Sequence, residues 1–242
     1  IHWNFKIKLV YIFMKKIYLS FIIPVYNSEK ILEKLIVNII DSAKKIKKNY
    51  EIVLVDDCSA DNSYLKLKKL KNKYSRNIIR IFKNKRNIGQ HKSIFKLIKK
   101  SRGEKILVLD CDFSNEVKYF KRLFNPKYKE FNVIYATFIK REKSFMSFAF
   151  WNFLKLFLDK RFNPYLSNYI LLDKKSIKLI NKVPYSRFLL LIAEIFLQDV
   201  KTKKILLPTK KNKFKSTYNL IKCIFLGLGI IYEYLLLRKI SK

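Results

Sequence analysis

The segment KILVLDCDFSN, residues 105–115, sets Asp110 and Asp112 one residue apart directly after an apolar run. In an extended chain, side chains two positions apart point the same way, so both carboxylates share one side at a strand tip. Two carboxylates held that close repel each other unless a cation lies between them. A hard, oxygen-seeking ion such as Mg2+ or Mn2+ meets that need and usually brings substrate phosphates with it. An isolated D-x-D is better explained by one Asp capping the following helix and the other meeting solvent. This pair has company, because Asp56 and Asp57 close an earlier apolar run and Asn27 follows Pro24 after the first one.

The elements that position these groups alternate. Residues 17–23, IYLSFII, form a β-branched and aromatic run that ends at Pro24 and predicts a buried strand. Ser28 then opens a helix whose apolar residues Ile31, Leu32, Leu35, Ile36 and Ile39 fall on one face. The cycle repeats with a strand over 51–55, a helix capped by Asp61 or Asn62, a strand over 77–82 and a helix over 90–101 stopped by Gly103. Strands alternating with helices imply a parallel, three-layer α/β sheet, in which ligands gather at the carboxyl ends of the strands. Beyond residue 125 the reading is a strand over 131–138, an aromatic helix over 145–158, and a strand or irregular segment over 165–172. A helix over 186–198, a short strand at KKILLP and an apolar helix over 220–237 complete it.

With 242 residues and 50% hydrophobic content the chain can build a proper core, which excludes a disordered tail. Fifty-three Lys and Arg against 18 Asp and Glu give +35, so an anionic partner is expected: nucleic acid, a phosphate-rich small molecule or an acidic membrane surface. AT-biased coding produces the same Lys, Ile, Asn, Phe and Tyr richness and accounts for part of that charge. Cys58, Cys111 and Cys223 form no CxxC pair and read as free thiols of a reducing compartment. Met14 reads as a start, with residues 1–13 as an upstream extension.

The stretches SFIIPVYNSEKILEKLI, YEIVLVDDCSADNS and KRNIGQHKSIFKLIKKSRGEKILVLDCDFSN, in that order and spacing, resemble family 2 glycosyltransferases of the GT-A fold. NIGQHKSI and LDCDFSN are similar, more narrowly, to the subgroup that moves a sugar from a nucleotide donor onto undecaprenyl or dolichyl phosphate. The resemblance implies a Rossmann-like, mostly parallel sheet sandwiched by helices over 14–214, and a membrane-associated amphipathic helix over 215–242. It implies that Pro24, Tyr26 and Asn27 shape the nucleotide pocket and that Asp56 or Asp57 hydrogen-bonds the base or ribose of a UDP- or GDP-type donor. Asp110 and Asp112 would hold Mg2+ or Mn2+ against the donor's diphosphate. The chain departs from the family at Cys58, where a Gly is usual, and at Phe113, Ser114, Asn115 and Glu116, where the subgroup shows L-Q-x-P.

In the second half, Lys140 and Arg141 stand where the subgroup carries an Arg-rich strand, and Lys211, Phe214, Ser216 and Tyr218 partly match a later R-x-x-G-x-S-x-Y pattern. Arg141 and Lys211 are thereby the expected acceptor-phosphate contacts, although Lys lacks the bidentate grip of Arg. Glu194 and Asp199 are not adjacent, so the Glu-Asp pair that serves many relatives as a base is missing. An acceptor phosphate is already anionic and needs no base, which favours a polyprenyl phosphate over a saccharide hydroxyl. The 145–158 helix is too short to span a bilayer and the 220–237 helix holds Lys222 and Glu233. Peripheral or C-terminal attachment at the cytoplasmic face of an anionic membrane is therefore expected. The competing readings are a family 2 transferase acting on a saccharide hydroxyl in surface polysaccharide synthesis and a non-catalytic basic scaffold. A nucleic-acid binder fits the charge, but acidic groups at successive strand ends would repel a phosphate backbone, so nucleic acid is not an expected partner.

Overall fold

A computed structural model describes residues 16–74, 78–138, 169–182 and 200–208, together with positions 228, 229, 231, 232 and 235. Strand β1 (Leu19–Val25) leads to α1 (Glu29–Lys44), β2 (Tyr50–Asp56), α2 (Ser63–Tyr74), β3 (Ile79–Lys83), α3 (Gln90–Lys100) and β4 (Lys105–Val108). A segment of 3₁₀ geometry (Cys111–Phe124) follows, then β5 (Val133–Phe138), β6 (Ile170–Leu172), α4 (Lys174–Lys182) and β7 (Thr202–Leu207). The strands of the described residues make one sheet in the order β3-β2-β1-β4-β6-β5-β7. β3, β2, β1 and β4 run parallel, while β6 is antiparallel to both β4 and β5, and β5 is parallel to β7. This is the mostly parallel, helix-flanked sheet of a Rossmann-like GT-A fold.

Strand alternation decides the layers. Leu19, Phe21, Ile23 and Val25 point from β1 into the principal core, where they join Leu32, Leu35, Ile36 and Ile39 of α1 and Phe120 and Leu123 of the 3₁₀ segment. Full burial of each such aliphatic side chain stabilises the fold by about 1.5–3 kcal/mol. The chain then crosses to the opposite face, and α3 packs over β1 and β2. That reversal lies between β1 and β4, so the loops leaving these adjacent strands diverge and open a crevice at their carboxyl ends.

β1 extends past Pro24 rather than ending before it. The Ile22 carbonyl accepts from Leu109 N, so the even-numbered residues of β1 turn their peptide groups toward β4. The paired register with β4 stops at Ile22 opposite Val108, while Pro24 still pairs with Val55 of β2. The missing N–H of Pro24 thus falls where no ladder bond is made, which is why proline is tolerated in a central strand.

Gly103 likewise acts differently from a helix stop. α3 ends at Lys100 with an extended Ser101 as its cap, and a Cβ on Gly103 would lie 2.6 Å from Ser20 N and 2.7 Å from Lys105 O. Its N–H donates to Ser20 Oγ at 2.9 Å, so the glycine permits the chain to press against β1. Beside it, fully buried Glu51 accepts from Ser20 Oγ, from Arg102 N and Nε, and from Arg80. Burial raises the Glu51 pKa, but these four hydrogen-bond donors outweigh it and hold the carboxyl below its ordinary range. α4 was not foreseen in the sequence, and the expected helices over 145–158 and 186–198 lie outside the described residues.

Candidate functional site

Four loops leave the carboxyl ends of β1–β4, and hydrogen bonds lace them together. After β1, Asn27 adopts a left-handed φ of 46°. Its N–H donates to Ser59 Oγ at 3.1 Å and its Oδ1 accepts from Ala60 N at 2.8 Å, binding the first loop to the second. Ser28 N donates to Ser63 Oγ at 2.8 Å. Asp61 accepts from Glu29 N at 3.1 Å and from Ser63 N at 2.9 Å, so one carboxylate caps the starts of both α1 and α2. Although partial desolvation raises the Asp61 pKa, those bonds bring it below its usual value. Tyr26, between Pro24 and Asn27, is exposed at the mouth of the crevice.

The adjacent aspartates after β2 have different surroundings. Asp56 Oδ2 accepts from Ser59 N at 3.3 Å, whereas its buried Oδ1 has no hydrogen-bond partner among the described residues. Leaving such an acceptor dry costs about 1–3 kcal/mol, so this oxygen is chemically poised for a donor group. Asp57 is saturated more fully: Oδ1 accepts from the Asn84 side-chain amide at 2.7 Å and Ile88 N at 3.0 Å, and Oδ2 accepts from Gly89 N at 2.9 Å. Asn84 is itself held by Lys96 Nζ at 2.6 Å and Ser93 at 3.0 Å. Asp57 therefore fastens the loop that leads into α3, where Gly89 takes a φ of 86°. Cys58, in the family's usual glycine position, has a left-handed φ of 61°.

β4 ends at Val108, so Asp110 and Asp112 lie beyond the strand rather than on it. Asp110 is extended, with φ −90° and ψ 155°, and Asp112 sits in the first turn of the 3₁₀ segment. Cys111 is buried between them and donates its thiol to the Pro24 carbonyl at 3.4 Å. Burial, with the flanking carboxylates adding to it, pushes the Cys111 thiol up to about 12, so it stays protonated. Asp110 Oδ1 accepts from Gln90 Nε2 at 2.5 Å, a short charge-assisted bond from the first residue of α3.

These groups fit a hard divalent cation. Asp112 is exposed, Asp110 is partly so, and the one soft donor between them is turned away toward Pro24. No group of three or more His, Cys, Asp or Glu that could hold a metal occurs among the described residues. A site of two carboxylates suits an ion that takes its remaining oxygens from water and substrate phosphates, as Mg2+ does. Arg141, Lys211, Glu194 and Asp199 lie outside the described residues. The structure thus gathers Pro24, Tyr26, Asn27, Asp56, Asp57, Asp110 and Asp112 at one end of the sheet. It adds Ser59, Asn84 and Gln90, which a search for titratable residues passes over because their amides and hydroxyls carry no charge.

The family profile described as Glycosyl transferase family 2 matches residues 20–189. An undecaprenyl-phosphate 4-deoxy-4-formamido-L-arabinose transferase of Proteus mirabilis (strain HI4320) is 36% identical over 115 residues, covering 48% of this chain and 35% of that protein. The match thus spans about a third of the relative's length. Among solved structures, mannosyl-3-phosphoglycerate synthase from Rubrobacter xylanophilus superposes with a TM-score of 0.70 at 12% identity, covering 90% of this chain and 73% of that one. A mannosyltransferase from Pyrobaculum calidifontis, in complex with GDP-Man and Mn2+, gives a TM-score of 0.56 at 15% identity over 83% of this chain and 59% of its own. At these identities the solved structures speak for the fold.

Proposed function

The chain belongs to glycosyl transferase family 2, and from that premise we propose that it transfers a sugar from a UDP- or GDP-type donor to a polyprenyl phosphate. The observation that carries this reading is the grouping of Asp56 Oδ1, which has no hydrogen-bond partner among the described residues, with Asp110 and Asp112 around the crevice between β1 and β4. Asp56, with Asp57 beside it, receives donor N–H or O–H groups of the nucleoside. Tyr26 and Asn27 form the rim, and Asp110 and Asp112 hold Mg2+ or Mn2+. When bound, that ion supplies positive charge to the departing diphosphate.

An acceptor phosphate oxygen forms the new bond to the anomeric carbon of the donor sugar from the face opposite the departing diphosphate. The bond from that carbon to the diphosphate oxygen breaks, its electron pair leaves with the nucleoside diphosphate, and the configuration inverts. Arg141 and Lys211 orient the acceptor phosphate in this reading, and no protein base is required because the acceptor is already ionised. The match to a relative named for undecaprenyl phosphate supports the acceptor class.

Attachment to the cytoplasmic membrane face is part of the proposal. Leu228, Tyr232 and Leu235 are 54%, 65% and 50% exposed and recur at helical spacing, which supports an apolar stripe that meets lipid. No helix among the described residues is long and apolar enough to cross a membrane.

The test is transfer from a panel of nucleotide sugars to undecaprenyl phosphate in detergent with Mn2+, comparing wild type with Asp112→Ala. Consumption of one donor only when the lipid phosphate is present, and a loss of at least about 10²-fold in the variant, is expected. Equal donor consumption with a saccharide acceptor and no lipid would move the assignment to a hydroxyl acceptor. Failure of every donor to bind would sink the enzyme reading.

A further inference from the structure

We infer that Gln90 is a positioning residue for Asp110 and that Asp57, through the loop it fastens, sets Gln90 in place. The inference rests on the reading of Asp110 as a metal ligand and assigns a second task to the aspartate pair after β2.

The chain of contacts is continuous. Both oxygens of Asp57 accept from the loop before α3, at the Asn84 amide, Ile88 N and Gly89 N. Gly89 is the residue before α3, and its φ of 86° turns the chain into the helix. Gln90 is the next residue, and its amide reaches Asp110 Oδ1 at 2.5 Å, across 20 positions of sequence. Ser93 and Lys96, one and two turns along the same helix, grip Asn84 and so pin the loop from the other side. A carboxylate rotates freely about its last torsion unless a donor fixes one oxygen. The Gln90 bond does so, fixing Oδ1 and thereby the direction in which Oδ2 is presented. Groups of this kind, bonded to metal ligands rather than to the metal, change metal affinity about 10–100-fold when removed.

The uncharged amide suits this task. A Lys or Arg at position 90 would also hold Asp110 but would neutralise it and weaken its attraction for a cation, whereas glutamine fixes the geometry and leaves the charge. The two halves of the crevice are thereby joined: the loop after β2 bears on the nucleoside side through Asp56 and on the metal side through Asp57.

The test is binding of Mn2+ in the presence of UDP or GDP, read by the electron paramagnetic resonance of free Mn2+, with no turnover needed. Gln90→Met keeps the side-chain length and removes the donor, and Asp57→Asn loosens the loop. Both are expected to raise the half-saturating Mn2+ concentration about tenfold, and Gln90→Met is expected to leave the metal-free affinity for UMP or GMP unchanged. Thermal melting of each variant establishes that it is folded, and Gln90→Asn, too short to reach Asp110, should repeat the Gln90→Met result if that variant melts early. Wild-type Mn2+ affinity in folded Gln90→Met overturns the inference and leaves the metal reading intact. Loss of UMP or GMP affinity in Asp57→Asn with unchanged Mn2+ affinity overturns the role given to Asp57. If wild type itself binds no Mn2+ with either nucleotide, the metal reading and this inference fall together.

Discussion

Cys58 occupies a left-handed backbone conformation, φ 61°, that a Cβ disfavours by about 1–2 kcal/mol. Its side chain returns little, since the thiol reaches the Lys85 carbonyl only at 3.9 Å. Cys58→Gly removes the Cβ conflict but enlarges the freedom of the unfolded chain by about 0.5–1 kcal/mol. The net expectation is a gain of about 0–1.5 kcal/mol, read as a higher midpoint in urea with an unchanged slope. Asp56, two residues earlier, shows the opposite arrangement: a well-formed strand end that carries a buried oxygen with no hydrogen-bond partner among the described residues. Stability is forgone there at a group free to receive a ligand, a pattern expected at functional positions. Cys111 completes the contrast, because its burial keeps a soft and oxidisable group out of a site built from hard oxygens.

At the scale of elements, the sheet is fastened at the end opposite the crevice by Glu51, which links β1, β2 and the chain after α3. Its pKa is lowered in the folded state, so its contribution is fully present above the unfolded carboxylate value of about 4.3 and is lost as pH falls through the folded value. Glu33, whose hydrogen bonds from Lys66 and Lys73 bring it from 4.5 to about 2, acts with the same sign between α1 and α2. The melting temperature should therefore hold steady near neutrality and decline from about pH 4.5 toward pH 2. Glu51→Gln should cost about 2–3 kcal/mol near neutral pH, less than a fully buried pair because Arg80 and Arg102 reach solvent. It should also flatten the acid limb of the melting curve. The order of β1 to β4 and their helices was legible because unbroken apolar runs and one-faced helices dominate residues 17–108. The extension of β1 through Pro24 was not, because it depends on where β4 stops pairing, a fact of register that no local pattern encodes. Gly103 was legible as a special position, but its reason, contact with Ser20, is tertiary. The acidic side chains of the site were readable by type and spacing, whereas Gln90 was not, because only the fold brings it beside Asp110. α4 was not legible because it is only nine residues long, four of them Lys, and so offers too few apolar positions to establish a helical period.

At the scale of the whole molecule, a net charge of +35 and the exposed Leu228, Tyr232 and Leu235 predict binding to anionic vesicles with separable parts. Sedimentation with phosphatidylglycerol vesicles should weaken as salt rises from 0.05 to 0.5 M, since exposed charges are screened beyond about 10 Å at 0.1 M. Replacing the three apolar residues with Ser should abolish the binding that survives at high salt, and salt-insensitive binding in that variant would contradict the proposed apolar stripe. The antiparallel β6 has a consequence for how the chain is made. β1 to β4 and their helices are complete by residue 108, but among the described residues the edge of β4 away from β1 is covered by residues 170–172. A ribosome adding about 5–20 residues per second leaves that edge uncovered for several seconds at least. During that interval the nascent chain presents a short apolar strand able to pair with another copy, so synthesis speed through the intervening residues governs the yield of folded protein.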